Sequence, residues 1–574
     1  MIKVILINGG WPGVNPLFCI IDPNNPNEPG DTGYFQSCPR RQHRDSKIYY
    51  LKMTSSNIET ISTEIFSAIA ESFPVVSASD EFYYFPQVQL VKPEWETWDR
   101  FSPDFIAYFI SRLNSWENKL DQLFPYMSAS GSGSQAELLL LKKLIHTLQE
   151  HLNETRTWET QPTFYLSIAC LGLAEALNTN NPDVPHRRAE TLPEFLDQAG
   201  RNLKNVPKLF LDLGLEMIQD TKEYFISLLP RLPELSPALE ALLRYKQILA
   251  SLKTRSTFLL PKSLLGRIVE SNMNCGMDIP QVNKTLDLEI TKMTARLHRE
   301  AKKLDCDTWQ EAYESISLSN FRHDGLVNLY HDEVLRLGRH CRDIGLVEDK
   351  LYQKNPVRVM PVPRFLAAIR SASSYSIPPG HPPSGGIFYI INAHDPEEMH
   401  KQYHKEYQIL SAHETWPGHH LLDITRWSLK SPVLRAVEQP VFYEGWACFS
   451  EVMLFQEGYL SGSQDSLMLA KRRLWRAIRG KVDIGIQTGS MNLSTAIEYL
   501  TRTGMTMEQA RASARKYSLN PGYQLCYTVG LQKFISLFQR YGQNNLKKFS
   551  RVVLNHGEIG FNDLERILKQ PGII

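Results

Sequence analysis

Helical periodicity is the feature of this sequence that most restricts its fold. From about residue 48 onward, apolar residues recur at three- and four-residue steps, as in LLLLKKLIHTLQEHL (138–152). Strand signals are few, and the clearest is GGIFYIIN (385–392), which follows a stretch rich in Pro and Gly. The sequence therefore predicts a mainly α fold with a small β-sheet just ahead of residue 411.

The chain is predicted to contain a short irregular start and one large helical unit. Residues 1–45 are rich in Pro, Gly, Asn and Asp and predict an irregular N-terminal extension. Residues 46–574 predict a single helical unit, because helical patterns continue throughout and no internal repeat divides them. The segment SASGSGS (128–134) predicts a flexible loop within that unit.

The bulk composition narrows the classes of function. The 574 residues are 42% hydrophobic with a formal net charge of +1, which argues against nucleic acid or an anionic membrane as the main partner. The eight cysteines are scattered without a CxxC pair, which favours a reducing compartment. The N-terminus lacks the long apolar centre of a signal peptide, and no 18-residue apolar span follows it. We therefore expect a cytoplasmic protein.

The decapeptide SAHETWPGHH (411–420) contains an interrupted zinc-peptidase motif. In the usual motif, His-Glu-x-x-His places two imidazoles one helical turn apart. Here Pro417 stands four residues after His413, and the next histidines are His419 and His420. On a straight helix His413 and His420 share a face, but they lie about 10.5 Å apart along the axis, too far to bind one zinc ion.

Pro417 argues against a straight helix, because its ring crowds the carbonyl group of residue 413 and it has no N–H to bond that carbonyl. The following Gly418 tolerates the dihedral angles of a bulge. If Trp416 and Pro417 bulge out as two inserted residues, His419 takes the place one turn after His413. The alternative is a group of histidines near a helix end that binds no metal.

A second stretch, PVFYEGWACFSEVML (440–454), supplies two carboxylates on an apolar helix. Glu444 and Glu451 are seven residues apart and share a face. Buried carboxylates are paired, hydrogen-bonded or coordinated, and two histidines with one glutamate are a common ligand set of catalytic zinc. We therefore predict Glu444 as the third metal ligand, Glu414 as the general base and Glu451 as an outer carboxylate that orients a ligand imidazole. A structural carboxylate network is the alternative.

Three blocks of the sequence, in this order, resemble the signatures of the bacterial family catalogued as domain of unknown function 885 (DUF885). They are HETWPGHH (413–420), YEGWACFSE (443–451) and NPGYQLCYTVG (520–530). The resemblance covers most of the chain. The DUF885 family in turn resembles the gluzincin metallopeptidases of the thimet-oligopeptidase and angiotensin-converting-enzyme type.

The gluzincin resemblance implies a large two-lobed helical fold with a deep cleft and one Zn²⁺ per chain. In those peptidases the third ligand is a glutamate about two dozen residues after the second histidine, and Glu444 follows His419 by 25 residues and His420 by 24. Their second glutamate, seven residues later, matches Glu451. The resemblance thus implies His413, His419 and Glu444 as ligands, with His420 as the alternative second histidine.

The same resemblance implies residues that contact the substrate. Gluzincins bind the substrate backbone along an edge strand ahead of the zinc helix, which implies Gly386, Phe388 and Tyr389 in GGIFYIIN. A late tyrosine stabilises the oxyanion in the oligopeptidases, and Tyr527 fills that position, with Tyr523 one turn earlier. The alternatives are an ordinary sheet strand and two tyrosines that belong to the core.

Arg476 and Arg479 are candidate anchors for a substrate carboxylate, although arginines on a helix are more often salt-bridge partners. The sequence departs from the DUF885 pattern at three positions outside the metal set. Gln487 stands where a histidine is expected, and Ser384 and Lys516 stand where arginines are usual. These departures put substrate specificity in question.

We expect a zinc-dependent hydrolase, in the first instance a peptidase that cleaves short peptides with a metal-activated water. Neither nucleic acid nor a membrane is expected as a partner. One alternative is a catalytically inactive, metal-binding helical scaffold that binds peptides or a partner. The other is a metal-dependent hydrolase of a non-peptide amide, because the same ligand set suits other substrates.

Overall fold

Helices form most of the computed structural model, which confirms the mainly α prediction. The described residues are 4–5, 19–20, 57–79, 81–88, 96–127, 132–179, 181–317, 325–362, 373–377, 384–391, 404–542 and 545–574. Contacts group the chain into two units, Met1–Lys52 and Met53–Ile574. In the first unit, within the segment predicted to be irregular, β1 (Val4–Ile5) pairs antiparallel with β2 (Cys19–Ile20).

The helices of the second unit fall before and after a small sheet. Those before it are α1 (57–72), α2 (Pro103–Met127), α3 (Ser132–Glu150), α4 (Thr157–Thr160), α5 (Pro162–Leu177), α6 (Asp183–Asn202), α7 (Lys208–Leu228), α8 (Ser236–Ser251), α9 (Lys262–Arg267), α10 (Ile279–Lys303), α11 (Trp309–Ser315), α12 (Leu326–Asp343) and α13 (Asp349–Lys354). Short π-helical turns follow α3 and α9 at His151–Thr155 and Ile268–Asn272, and a 3-10 turn at Pro233–Leu235 precedes α8.

The helices after the sheet carry the candidate site. They are α14 (Tyr407–Glu414), α15 (His419–Arg426), α16 (Pro432–Ala436), α17 (Pro440–Gln456), α18 (Ser463–Thr488), α19 (Leu493–Thr501), α20 (Met507–Tyr517), α21 (Cys526–Leu537), α22 (Leu546–Asn555) and α23 (Phe561–Leu568). A 3-10 turn at His404–Glu406 precedes α14, and a π-helical turn at Phe538–Gly542 follows α21. None of the helices in the described ranges combines the length and apolarity needed to cross a membrane.

A local sequence signal explains where α10 starts. At α10, the Asp278 side chain accepts the Gln281 N–H at 2.8 Å, and the Gln281 side chain accepts the Asp278 N–H at 3.1 Å, so a capping box defines the first turn.

The helix α3 begins at Ser132, inside the predicted loop 128–134. The part of the predicted loop from residue 132 onward is therefore helical, and residues 128–131 lie outside the described residues.

The sheet has three short strands in the order β3-β5-β4. β3 (Val357–Pro361) is parallel to β5 (Gly386–Ile390), and β4 (Ser374–Ser376) is antiparallel to β5. The strand predicted in GGIFYIIN is present as β5, and every residue in it is buried. However, β5 is the central strand with partners on both sides, so the prediction that it is an edge strand is wrong.

The helices α17 and α21 cross with their backbones in contact. A Cβ atom on Gly445 would lie 2.5 Å from the Gly530 Cα, and a Cβ atom on Gly530 would lie 2.1 Å from the Val441 carbonyl oxygen. Since no side chain fits between the two helices, both positions need glycine. The crossing brings Glu444 on α17 next to Tyr523, which lies just before α21.

Candidate metal centre

The interrupted motif forms two helices separated by a break. α14 ends at Glu414, four residues leave the helical path, and α15 starts at His419. The prediction of a two-residue bulge inside one continuous helix is therefore wrong. The break contains a cis peptide bond between Trp416 and Pro417, and the Pro417 carbonyl accepts the indole N–H of Trp446 at 2.9 Å.

Gly418 allows the chain to fold back tightly against the end of α14. Its N–H donates to the Ala412 carbonyl at 3.0 Å. A Cβ atom at this position would lie only 1.9 Å from the His413 carbonyl oxygen, which is a backbone atom that cannot move aside alone. The return path places the rings of His413 and His419 with their centroids 4.8 Å apart.

Three buried side chains converge at this point. The Nε2 atoms of His413 and His419 each lie 3.5 Å from Oε2 of Glu444. One ligand atom from each residue lies within 4.8 Å of the others. Oε2 of Glu444 accepts no hydrogen bond from any residue in the described ranges. A buried carboxylate oxygen that faces two imidazoles without a donor suits a divalent cation, so the residues fit a metal site.

The carboxylate of Glu444 is held ionised. Burial raises its pKa, but the facing imidazoles of His413 and His419 outweigh burial and keep that pKa well below its ordinary value. Its second oxygen, Oε1, accepts the phenolic O–H of Tyr523 at 2.7 Å. One oxygen is thereby fixed by a tyrosine while the other faces the histidines.

Glu451 lies behind the His413 ring, as predicted for an outer carboxylate. Its Oε1 is 3.2 Å from His413 Nδ1. Arg476 binds both Glu451 oxygens, at 2.5 and 2.6 Å, and its Nη2 is 3.2 Å from His413 Nδ1. Burial raises the pKa of Glu451, but Arg476 and Arg472 outweigh burial and hold that pKa far below its ordinary value. This placement favours a positioning role for Arg476 over the predicted contact with substrate.

His419 is oriented by a different kind of contact. Among the described residues, none forms a hydrogen bond with its Nδ1. Instead the ring stacks on Tyr443, with centroids 4.1 Å apart and planes 21° from parallel. The Tyr443 hydroxyl donates to Asp423 at 3.1 Å, and Asp423 lies 2.6 Å from the fully buried Arg426. Stacking and this buried ion pair therefore fix the second histidine.

His420, the alternative ligand, does not belong to the cluster. Its Nε2 lies 3.0 Å from the Asn355 carbonyl oxygen, and its Nδ1 lies 3.1 Å from the Tyr375 hydroxyl. Burial lowers the pKa of His420 to about 4, so the ring is neutral near pH 7. Both ring nitrogens have partners away from Glu444.

Glu414, the predicted general base, lies beside the sheet. Its Oε2 accepts the backbone N–H of Tyr375, in β4, at 2.8 Å. The side chain is 8% exposed. Among the described strands, the edge strand next to Glu414 is therefore β4, where the sequence predicted β5.

The predicted substrate-contact residues of β5 serve the packing of the sheet. Phe388 is fully buried, and its ring meets Tyr330 edge to face at 5.6 Å. Tyr389 is 7% exposed. A Cβ atom on Gly386 would lie 2.4 Å from the Tyr375 ring and 2.6 Å from His420 Nδ1. Gly386 is thus required for close packing, and the structure does not bring these three residues to the metal ligands.

The two late tyrosines do lie at the cluster. The centroid of the Tyr527 ring lies 6.4 Å from that of the His413 ring and 6.0 Å from that of the Tyr523 ring. The guanidinium carbon of Arg479 lies 3.6 Å from the centre of the Tyr527 ring. Burial and the charge of Glu444 raise the pKa of Tyr527 and Tyr523 well above the ordinary value, so both phenols keep their protons. Arg479 therefore contacts an aromatic face.

The three departures from the family pattern lie away from the metal ligands. The buried Gln487 donates to the Ser518 carbonyl at 3.1 Å and to the Tyr517 carbonyl at 3.4 Å. Ser384 donates to the Lys354 carbonyl at 3.3 Å. Lys516 is exposed on α20.

Sequence reasoning missed that one helix supports the side of the site that contains His413, Glu451 and the late tyrosines. α18 presents a buried polar stripe towards it, at three- and four-residue steps: Arg472, Arg476, Arg479, Asp483 and Gln487. Arg472 pairs with the buried Glu406 at 3.0 Å and also lies 3.6 Å from Glu451. The spacing was visible in the sequence, but charged residues at helical spacing usually indicate a solvated face.

Comparison with solved structures identifies relatives of the same fold. A candidate lipoprotein of unknown function from Shewanella oneidensis aligns with a TM-score of 0.65 at 15% identity, over 83% of this chain and 94% of that one. A candidate lipoprotein from Colwellia psychrerythraea aligns with a TM-score of 0.67 at 16% identity, over 90% of this chain and 98% of that one. No curated protein matches the sequence.

The family comparison covers all the residues of the candidate metal centre. The model of the bacterial proteins of unknown function DUF885 matches residues 92–568. This range includes both helices of the interrupted motif, the carboxylates of α17 and the late tyrosines. The chain therefore belongs to the DUF885 family.

Proposed function

We propose that this protein is a zinc-dependent hydrolase, and specifically a peptidase that acts on short peptides. The observation that carries the proposal is the convergence of His413, His419 and Glu444, with Oε2 of Glu444 buried and free of hydrogen-bond donors among the described residues. Two histidines and one glutamate are a ligand set of catalytic zinc sites. Zinc, when bound, would lower the pKa of a coordinated water and polarise a substrate carbonyl.

Glu414 is the proposed general base. It follows His413 directly in the chain, as the base does in His-Glu-x-x-His peptidases. The Tyr375 N–H holds its Oε2 at 2.8 Å, which anchors the carboxylate beside β4. In the proposed role the carboxylate accepts a proton from the attacking water and returns it to the leaving amine.

Tyr527 is the proposed donor to the oxyanion. Its phenol stays protonated because burial and Glu444 raise its pKa, so it can donate a hydrogen bond without a change in charge. Arg479 lies over the ring face at 3.6 Å and restricts how the ring moves. The hydroxyl of Tyr523 already donates to Glu444 Oε1 at 2.7 Å, which favours a role for Tyr523 in orienting this ligand.

A peptide substrate is supported by the sheet beside the site. Among the described strands β4 is the outer one, and the N–H of its central residue bonds to Glu414. A peptide bound in extended form beside this strand would lie next to the base. The two-lobed fold with a deep cleft belongs to the same proposal, since it follows from the gluzincin resemblance.

Metal content tests the proposal most directly. We would measure zinc by plasma mass spectrometry in the unsubstituted protein and in His413→Ala, His419→Ala, Glu444→Ala and His420→Ala, with a thermal melt to verify folding. About one zinc per chain is expected, lost in the first three variants and kept in His420→Ala. Absence of tightly bound zinc from protein purified without chelator would refute a zinc enzyme.

A peptide-library digest then tests the reaction. Cleavage of short peptides by the zinc-loaded protein, abolished in Glu414→Gln while zinc content is unchanged, is the result expected for a peptidase. Zinc binding without cleavage of any peptide would favour the inactive scaffold. Hydrolysis of small amides in the absence of peptide cleavage would favour a different amide hydrolase.

A further inference from the structure

Asp483 clamps the backbone on both sides of Tyr523. It lies on α18, and its side chain is fully buried. Its Oδ1 accepts the N–H of Gly522 at 3.2 Å, and its Oδ2 accepts the N–H of Gln524 at 2.9 Å. The clamped segment connects α20 to α21, and Gly522 adopts a φ of +81° within it. The carboxylate therefore determines the path of the backbone at Tyr523.

The side chain of Tyr523 transmits this geometry to Glu444. Its hydroxyl donates to Glu444 Oε1 at 2.7 Å, while Glu444 Oε2 faces the two histidines. A backbone shift of about 1 Å at Tyr523 would stretch this hydrogen bond beyond its useful range. Without the bond the Glu444 carboxylate is free to rotate away from the histidines. A chain of two contacts thus connects Asp483 to a candidate ligand.

The position of Asp483 is unfavourable for stability alone. Burial raises its pKa to about 7, although two backbone N–H groups stabilise the ionised form. A buried carboxylate gives little net stability compared with an apolar residue of similar size. The carboxylate is explained by its contacts with residues 522–524, here called the tyrosine segment. A single side chain has to accept the N–H groups of Gly522 and Gln524, on either side of Tyr523, and a carboxylate has two oxygens for this.

We infer that Asp483 is a positioning residue that fixes Tyr523 and, through it, the orientation of the Glu444 carboxylate. The link to metal binding and turnover rests on the proposed function. The clamp on the backbone does not rest on it.

The test uses Asp483→Ala, the nearly isosteric Asp483→Asn, Tyr523→Phe and the combination of Asp483→Ala with Tyr523→Phe in the full chain. Asp287→Ala is the matched control, because Asp287 is 58% exposed and pairs with Lys481 at 2.8 Å. Three quantities are measured: amide hydrogen exchange over residues 520–527, the zinc dissociation constant, and kcat and KM for a cleaved peptide.

In Asp483→Ala we expect amide exchange at Gly522 and Gln524 to accelerate at least about tenfold. We expect a zinc dissociation constant about tenfold higher and a lower kcat with KM changed less than about threefold. Asp483→Asn keeps one hydrogen-bond acceptor, so its exchange rates, zinc dissociation constant and kcat are expected to lie between those of the unsubstituted protein and those of Asp483→Ala. In the Tyr523→Phe background, Asp483→Ala should add little, because both act through the same hydrogen bond.

Unchanged exchange in both Asp483 variants would overturn the inference, and so would additive effects of Asp483→Ala and Tyr523→Phe on zinc affinity. If the unsubstituted protein binds no zinc, the proposed function fails. The exchange measurement then decides alone whether Asp483 holds the tyrosine segment, since it needs neither metal nor turnover.

Discussion

Arg476 binds Glu451 through both of its terminal nitrogens, at 2.5 and 2.6 Å, directly behind the His413 ring. Both side chains are almost completely buried. For His413 Nε2 to bind a metal, the proton of the neutral ring has to be on Nδ1, where Glu451 can accept it. The arginine thus fixes the carboxylate that fixes the tautomer of the histidine.

Arg476→Met is expected to destabilise the fold by about 3–5 kcal/mol, because it leaves the Glu451 carboxylate buried without its main partner. Zinc affinity should fall by about 10- to 100-fold. Urea unfolding and a zinc competition assay measure the two effects. Combining Arg476→Met with Glu451→Gln should recover part of the stability but not the zinc affinity, since the charge is gone and so is the oriented carboxylate.

The control for this prediction is Arg540→Met, which removes an exposed ion pair with Glu565. It should change stability by less than about 1 kcal/mol. An Arg476 variant with the stability of this control would contradict the proposed arrangement.

Gly418→Ala is expected to abolish the metal centre. Its Cβ would lie 1.9 Å from the His413 carbonyl oxygen, so the break between α14 and α15 must open and move His419. We expect a loss of several kcal/mol in stability and of measurable zinc binding. The matched control is Gly266→Ala in α9, where no atom lies within 4 Å of the added methyl, and where alanine should be neutral or stabilise by about 0.5–1 kcal/mol. Equal behaviour of the two variants would refute this prediction.

Tyr443→Leu should weaken zinc binding more than Tyr443→Phe. Phenylalanine keeps the ring stacked on His419 at 4.1 Å and loses the hydrogen bond to Asp423. Leucine loses both contacts and leaves a His419 ring whose Nδ1 has no hydrogen-bond partner among the described residues. Zinc dissociation constants for both variants measure the difference, and we expect a ratio of about 10. Equal constants would show that stacking does not orient the ring.

The stability of the protein is expected to fall in acid because of His151. This ring is 2% exposed and stacks on Tyr84 with centroids 4.2 Å apart, and burial lowers its pKa to about 3. In the unfolded chain the histidine is protonated below about pH 6.5, whereas in the native protein it stays neutral down to about pH 3. Acid therefore stabilises the unfolded state, and stability that is present above pH 6.5 is lost as the pH falls towards 3.

Urea unfolding at pH 7.5 and pH 4.5 tests this contribution. The unsubstituted protein should lose about 2–3 kcal/mol more than His151→Phe, which keeps an apolar ring in place but cannot take up a proton. His298→Gln, at an exposed histidine, serves as the control and should follow the unsubstituted protein. A loss that is the same in His151→Phe would assign the acid sensitivity to other groups.

The mainly α fold could be predicted from the sequence because helical periodicity is a local property. The grouping of His413, His419 and Glu444 also followed from spacing and from the chemistry of ligand sets. The path between the histidines did not, since four residues leave the helix where two were predicted, and this depends on the contact of Gly418 with the end of α14. The position of β5 in the sheet likewise depends on pairing with β3 and β4, which its own residues do not encode.

Arg476 illustrates the same limit at the site. Its spacing on α18 was evident, but the choice between a substrate anchor and a partner of Glu451 depends on how α17 and α18 pack. Asp483 and Gln487 were missed as supports for the same reason, because their partners are backbone groups of a distant segment.

The polar stripe of α18 has a consequence for insertions and deletions. Removing one residue from this helix between Arg472 and Gln487 would rotate everything beyond the deletion by about 100° relative to everything before it. For a deletion between Arg476 and Asp483, Arg476 would still face Glu451, but Asp483 would no longer face the backbone of residues 522–524. A single deletion in α18 should therefore be far more damaging than any one substitution in it, and natural variation in length should be confined to the loops at its two ends.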